Sequence, residues 1–220
     1  MINLPSHSTL LFMGDSITDA GRSPEGESSP WLPSYGLGNG FVTLVHSWLQ
    51  AIHPEAGIRV VNRGISGNTV RDLARRWSSD VLAQPPQTLA IMIGINDVWR
   101  QFDTPHRPDL AVPSGEYRTT LADLVRQAKV SVPRVILATP FFIEPSRSDP
   151  MRASMDTYGN IVREIAREEH TDFIDLQAAF DRVLAHLHPM NLAWDRVHPS
   201  PAGHMIIAQE FLHAFGLQTG

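Results

Sequence analysis

The sequence predicts an α/β fold, a three-layer sandwich around a five-stranded parallel sheet. Short apolar runs alternate strictly with longer amphipathic stretches along the 220 residues. The runs are apolar almost throughout, as strands buried on both faces are. Because parallel strands need crossover connections, this alternation indicates right-handed strand–helix units. We expect a single domain over residues 1–220, since one core commonly extends to about 250 residues.

The predicted strands are Thr9–Met13, Ile58–Asn62, Thr88–Ile93, Arg134–Thr139 and Asp172–Asp175. The predicted helices are Phe41–Ile52, Thr69–Val81, Glu116–Val132, Pro150–His170, Leu176–Leu187 and Pro201–Phe215. The last helix carries the expected signals, Pro201 in its first turn and Gly216 just past its end. Two stretches, Gly21–Gly40 and Gly94–Gly115, show no such pattern. Structureless stretches of this length are usually functional.

Composition excludes several classes of function. The formal net charge is −5 without a block of lysines or arginines, which argues against a nucleic-acid partner. The absence of cysteine excludes disulfides, thiol catalysis and thiolate metal sites. The first residues lack a basic segment, and the run Leu10–Met13 is too short for a signal peptide or a membrane span. We therefore expect a cytoplasmic protein without a membrane partner.

Polar segments follow the predicted strands, where ligands of open parallel sheets bind. The first three strands are followed by Gly14-Asp15-Ser16-Ile17-Thr18, by Asn62-Arg63-Gly64-Ile65-Ser66-Gly67-Asn68 and by Gly94-Ile95-Asn96-Asp97. A fourth segment, Asp195-Arg196-Val197-His198-Pro199, comes after the fifth strand and its helix. We expect all four segments on one rim of the sheet.

Together these segments contain every part of an acyl-transfer site, which needs a nucleophile, a base, a group that orients the base, and oxyanion donors. Ser16 supplies a hydroxyl and His198 an imidazole. Asp195, three residues earlier, can reach the imidazole Nδ1. The N–H groups of Ser16 and Gly67, with the side-chain amide of Asn96, can form an oxyanion hole. We therefore predict a serine hydrolase that needs no cofactor and no metal.

Four more residues of these segments are interpreted as supports of their loops. Asp15 and Asp97 are expected to accept backbone N–H bonds. Asn62 and Asn68 receive the same interpretation.

Two tryptophans, Trp99 and Trp194, stand beside the third and fourth segments. They can wall the acyl pocket or stack on a sugar, or they can anchor a subunit interface. The sequence leaves both interpretations open.

The four segments resemble the four blocks of the SGNH (GDSL) hydrolase family, in that family's order. The chain around Val61–Leu73, Ile91–Gln101, Asp149–Tyr158 and Ala193–His204 resembles the family's small bacterial intracellular acetylxylan esterases. The resemblance implies a flavodoxin-like sheet and metal-free serine hydrolysis of acetyl esters on xylose-based sugars. It also implies a homo-oligomer, from dimer to octamer.

Other interpretations remain open at this point. The same chemistry could serve a lysophospholipid, a thioester or an aryl ester, and a non-catalytic carbohydrate-binding protein is an alternative of a different class. Ser16 and Asn96 could be plain turn residues, and Asp195 with His198 a surface ion pair. A zinc site is disfavoured because the sequence contains no His-Glu-x-x-His pattern. A phosphotransferase is disfavoured because no Gly-Lys-Thr loop is present.

Overall fold

Five parallel strands form one sheet in the order β2-β1-β3-β4-β5, which confirms the predicted α/β fold. The computed structural model describes residues 2–23 and 36–217. The strands are β1 (Thr9–Gly14), β2 (Arg59–Gly64), β3 (Thr88–Met92), β4 (Arg134–Ala138) and β5 (Asp172–Ile174). Every residue of β3 is buried, as expected of a central strand covered on both faces.

Helices cover both faces of the sheet. They are α1 (Ser16–Asp19), α2 (Phe41–Ile52), α3 (Val70–Trp77), α4 (Ile95–Asp103), α5 (Ser114–Lys129), α6 (Pro150–Glu168), α7 (Leu176–Leu184) and α8 (Pro201–Ala214). On one face α8 packs against α2 and α7, and on the other α5 packs against α3 and α6. The core between these layers includes Phe12, Phe41 and Phe211, whose rings pack on one another with centroids 5.1–5.4 Å apart.

The strand order determines where a site can form. The chain runs from β1 outward to β2 and then returns to place β3 on the other side of β1. The crossovers therefore leave β1 and β3 toward opposite faces, which opens a crevice at their carboxyl ends. Gly14, the last residue of β1, lies in register with both Gly64 of β2 and Met92 of β3. The segments that follow these three strands consequently meet at one edge.

Two predictions from the sequence were wrong in part. Residues 94–115 are not a structureless loop, because they contain α4 and a 3₁₀ turn at Pro108–Leu110 before α5 begins. The first four residues of α4 are all buried and only its second half reaches solvent, so the start of the helix does not show the exposed polar face of a surface helix. The helix predicted over Thr69–Val81 ends at Trp77 and continues as a π-helical turn over Ser78–Leu82. Most of the other stretch, Gly21–Gly40, lies outside the described residues.

Candidate active site

Ser16 lies in the tight turn between β1 and α1. Asp15 caps this short helix by accepting a hydrogen bond from the N–H of Ile17 at 3.0 Å. The turn leaves no room for a side chain before it, since a Cβ on Gly14 would lie 2.2 Å from Thr18 Oγ1 and 2.6 Å from the carbonyl oxygen of Met92. The hydroxyl of Ser16 lies at this edge of the sheet, where it contacts His198.

His198, 182 residues further along the chain, contacts this hydroxyl. Ser16 Oγ lies 3.0 Å from His198 Nε2, within hydrogen-bonding distance. On the other side of the ring, His198 Nδ1 lies 2.6 Å from Asp195 Oδ2. The three side chains thus form a hydroxyl–imidazole–carboxylate chain with the geometry that proton transfer from the hydroxyl requires.

The Asp195 carboxylate has two tasks in its loop. Oδ2 binds the imidazole, while Oδ1 accepts hydrogen bonds from the N–H groups of Val197 and His198 at 2.9 and 2.8 Å. Burial opposes ionisation of this carboxyl, but the hydrogen bonds from His198 and Val197 outweigh it and hold its pKa below the ordinary value. Asp195 is therefore ionised at neutral pH, and it fixes both the turn and the ring orientation.

Gly67 and Asn96, the other predicted oxyanion donors, lie in the segments that follow β2 and β3. Gly67 is exposed and has φ +81°, a conformation that favours glycine. Asn96 is buried, and its Nδ2 donates one hydrogen to the carbonyl of Asn68 at 2.9 Å. Its Oδ1 accepts a hydrogen bond from Arg100 at 3.1 Å, which fixes the orientation of the amide. An amide nitrogen carries two hydrogens, so Nδ2 has a second one to donate.

Three of the four side chains predicted to support the loops bond to backbone groups, whereas the fourth, that of Asn68, accepts a hydrogen bond from the side chain of Arg76. Asn62 donates to the carbonyls of Thr18 and Leu37 at 2.6 and 2.8 Å and accepts from the N–H of Gly64 at 2.7 Å. Asp97 Oδ1 accepts from the N–H of Val70 at 3.0 Å, which joins the segment after β3 to the start of α3. These bonds tie the loops after β1, β2 and β3 to one another.

Asp15 and Asp97 are buried carboxyls that are weaker acids than an ordinary aspartic acid. Burial raises the pKa of each from 3.8 to about 7, because a carboxylate is poorly solvated in the interior. Hydrogen bonds from the N–H groups of Ile17 and Val70 offset this effect only partly. Among the described residues, none provides a hydrogen-bond partner for Asp97 Oδ2. Both carboxyls thus exchange protons near neutral pH.

Arg76 on α3 holds the same loops together, a role that sequence reasoning missed. Its guanidinium donates to the carbonyls of Gly14 and Arg63 at 3.0 and 2.7 Å. It also binds Asn68 Oδ1 at 2.8 Å and the carboxylate of Asp80 at 2.6 Å. One side chain therefore joins the ends of β1 and β2 to the loop that carries Gly67.

Arg196 fixes the loop of Asp195 and His198 against the segment after β4, and it too was missed. Its backbone has φ +63°, a conformation that costs a residue other than glycine free energy. The guanidinium lies 2.7 Å from Glu144 Oε2 and 4.9 Å from the ring centroid of Phe142. The carbonyl of Arg196 accepts from the N–H of Ile143 at 2.9 Å. These contacts hold the strained turn in place.

The two tryptophans lie in different environments. Trp99 is partly buried, and the edge of its ring contacts the imidazole of His198 with centroids 5.8 Å apart. Trp194 is 77% exposed. The structure therefore brings Trp99 into the site, whereas Trp194 faces solvent beside it.

Within residues 2–23 and 36–217, no three His, Asp or Glu side chains are grouped so that they could hold a metal ion. No helix in the same ranges is both long and apolar enough to cross a membrane.

The model of the GDSL-like lipase/acylhydrolase family matches residues 12–206. The chain belongs to this family. A similar relative is the acetylxylan esterase of Geobacillus stearothermophilus, 55% identical over 219 residues, which are 99% of this chain and 98% of that enzyme.

Several solved structures are similar to this chain over almost its whole length. A mutant of an acetyl-xylooligosaccharide esterase from Geobacillus is 53% identical, covers 99% of this chain and 98% of its own, and superposes with a TM-score of 0.94. An α/β hydrolase enzyme from the metagenome of Lake Arreo, Spain, is 48% identical, with full coverage of both chains and a TM-score of 0.95. Other structures of the Geobacillus enzyme are catalytic mutants in which a serine, an aspartate or a histidine is replaced by alanine.

Proposed function

We propose that this GDSL-family protein is a serine esterase that removes acetyl groups from xylo-oligosaccharides. The observation that carries the proposal is the 3.0 Å contact between Ser16 Oγ and His198 Nε2, with Asp195 behind the imidazole. The substrate class is supported by the 55% identity to an acetylxylan esterase over almost the whole chain.

In the proposed mechanism Ser16 Oγ attacks the ester carbonyl carbon while His198 Nε2 takes its proton. The carbonyl oxygen becomes an oxyanion, stabilised by the N–H groups of Ser16 and Gly67 and by the amide of Asn96. Collapse of the intermediate breaks the bond to the sugar oxygen, and the imidazolium returns its proton to that oxygen. Asp195 stabilises the imidazolium between the two transfers. The sugar leaves, and Ser16 carries the acetyl group.

The second half of the cycle uses the same groups. His198 removes a proton from water, and the water oxygen attacks the acyl carbon. The oxyanion forms in the same place, and its collapse releases acetate while the proton on His198 returns to Ser16. No step requires a metal or a cofactor, since the charges that develop are met by hydrogen-bond donors and an imidazole.

The test compares acetate release from acetylated xylo-oligosaccharides, acetylated glucose, acetylated chitin oligomers and lysophospholipid. We expect the xylo-oligosaccharides to have the highest kcat/KM, and esters of increasing acyl length to show an optimum at acetyl. A long-chain optimum would instead identify a lysophospholipase or a related acyl hydrolase. A fluorophosphonate that fails to label Ser16 would favour a non-catalytic carbohydrate-binding protein.

We also propose that copies of the chain form a homo-oligomer through the segment 187–194. Three large apolar side chains in this short segment are exposed, Leu187 by 44%, Met190 by 61% and Trp194 by 77%. Exposed apolar side chains that cluster in this way are typical of subunit interfaces. Light scattering after gel filtration should give a mass of two to eight chains, and Trp194→Ser should lower it. An unchanged mass would refute the assignment of this segment.

The proposal extends to organisation and location. Residues 1–220 form one hydrolase domain, in keeping with the near-complete coverage by the relative. The enzyme acts in the cytoplasm on short oligosaccharides, and fractionation of the source cells with an antibody to the chain tests this location.

A further inference from the structure

A cavity of about 310 Å³ lies beside the triad on the side of Asp195. Its wall combines α4, the segment after β4, the start of α6 and the loop of Asp195. Aromatic side chains in this wall are Trp99, Phe102 and Phe142. The volume falls at the lower end of the range of about 300–1,000 Å³ that is typical of small-molecule sites. The cavity is therefore large enough for a compact ligand.

Trp99 links this cavity to the imidazole that must protonate the leaving group. His198 Nε2 has to protonate the departing oxygen, so the alcohol part of the substrate sits beside the imidazole. The acyl oxygen points the other way, toward Gly67 and Asn96. Trp99 both contacts the imidazole ring and lines the cavity. A leaving group that extends past His198 along Trp99 thus enters this cavity.

The lining suits a neutral, polyhydroxylated ring. Pyranose sugars present C–H groups on their faces, which pack on aromatic rings, and hydroxyl groups at their edges, which donate to carboxylates. Phe102 is 40% exposed, so its ring is accessible to a ligand. Asp149 Oδ1 caps α6, but its Oδ2 has only a 3.7 Å contact with Arg196 and can accept further hydrogen bonds.

The same lining disfavours the competing leaving groups. Carboxylates of Asp103, Asp149 and Asp195 stand in the wall. They outnumber the one guanidinium in the wall, that of Arg196, so the wall disfavours an anionic phosphate headgroup, and an aliphatic chain would bury these charged groups away from water.

We propose that this cavity is the subsite for the sugar of the leaving group, with Phe102 as a stacking surface beside Trp99. The inference rests on the proposed function, because it names how that same site selects a sugar ester over other acetyl esters.

The experiment compares acetylated xylotriose with ethyl acetate, whose ethyl group is too small to fill the cavity. In Phe102→Ala, the ratio of kcat/KM for the sugar ester to kcat/KM for ethyl acetate should fall by about fivefold or more, as expected for a lost ring contact. Phe102→Trp, which keeps an aromatic face, should restore the ratio. The matched control is Leu110→Ala, an apolar side chain of similar exposure (39%) that does not line the cavity.

Each outcome decides one point. A wild-type protein that hydrolyses ethyl acetate but not acetylated xylotriose would overturn both the sugar substrate and the subsite. A wild-type protein that hydrolyses both, with an unchanged ratio in Phe102→Ala, would overturn the subsite alone. An equal fall of the ratio in Leu110→Ala would show a general effect of apolar truncation and would also overturn it. Circular dichroism and thermal unfolding of each variant establish that the compared proteins are folded.

Discussion

Arg76→Lys tests whether one guanidinium holds the predicted oxyanion hole together. Arginine at this position reaches the carbonyl of Gly14, the carbonyl of Arg63 and the side chain of Asn68 with one planar group. Lysine keeps the positive charge near Asp80, but an ammonium cannot reach all of these acceptors at once. The substitution therefore separates the charge from the bridging geometry.

The magnitude follows from the bonds that are lost. At least two hydrogen bonds from a charged donor disappear, each worth about 1.5–3 kcal/mol, so the free energy of unfolding should fall by about 3 kcal/mol after partial relaxation. Gly14 precedes Ser16 by two residues, and Asn68 directly follows Gly67. A shift of either contact therefore moves a predicted oxyanion donor. Loss of one oxyanion donor costs about 10²–10³ in kcat, which is the upper limit here. We expect kcat to fall by at least about tenfold.

The assay is steady-state hydrolysis of ethyl acetate by pH-stat, together with urea unfolding. Because the donors act on the transition state, kcat should fall while KM changes little. Arg75→Lys is the control, since Arg75 is the adjacent residue, is largely exposed and pairs only with Asp72 on the same helix. A folded Arg76→Lys protein with the kcat of the wild type would refute the reasoning.

Three further predictions concern the triad and its surroundings. Ser16→Ala should lower kcat by about 10⁴-fold or more with an unchanged melting temperature, and activity-based labelling should disappear; residual activity near that of the wild type would exclude Ser16 as nucleophile. Asp195→Asn should lower kcat by about 10⁴-fold, because an amide that keeps the turn cannot also accept the proton on Nδ1; rates within tenfold of the wild type would contradict this. Burial raises the pKa of Asp15 to about 7, above that of the unfolded chain. Its contribution to stability is therefore fully present below about pH 4 and is lost as pH rises through 7. In the wild type this loss should lower the free energy of unfolding, measured with urea, by about 2–4 kcal/mol between pH 4 and pH 8, and Asp15→Asn should abolish that part of the pH dependence. An equal fall in the wild type and the variant would argue against it.

Most of the fold could be predicted because buried parallel strands carry a local signal. The predicted Thr9–Met13 and Arg134–Thr139 differ from β1 and β4 by one residue each. Helix α4 was missed because its first turn is buried on every side and because Gly94, at φ +134°, gives no side-chain cap.

The place of Ser16 at the sheet edge could be predicted because it directly follows a parallel strand. His198 follows α7 and not a strand, so its meeting with Ser16 was predicted from the resemblance of the four segments to the family's blocks. The role of Arg76 could not be predicted, because an arginine on an amphipathic helix normally faces solvent. Its partners come from two other strands and become neighbours only in the folded chain. The only signal in the sequence is that Arg76 is the third arginine on one short helix and lies off the face that Arg71 and Arg75 share.

The distance in sequence between the hydroxyl and the imidazole has a consequence for biosynthesis. A ribosome adds about 5–20 residues per second, so about 10–40 seconds pass between synthesis of residue 16 and of residue 198. During that interval the nascent polypeptide carries an alcohol with no partner to activate it. Under the proposed mechanism, hydrolytic competence therefore arises only after residue 198 has been synthesised and has met Ser16, and a chain released before then is inert.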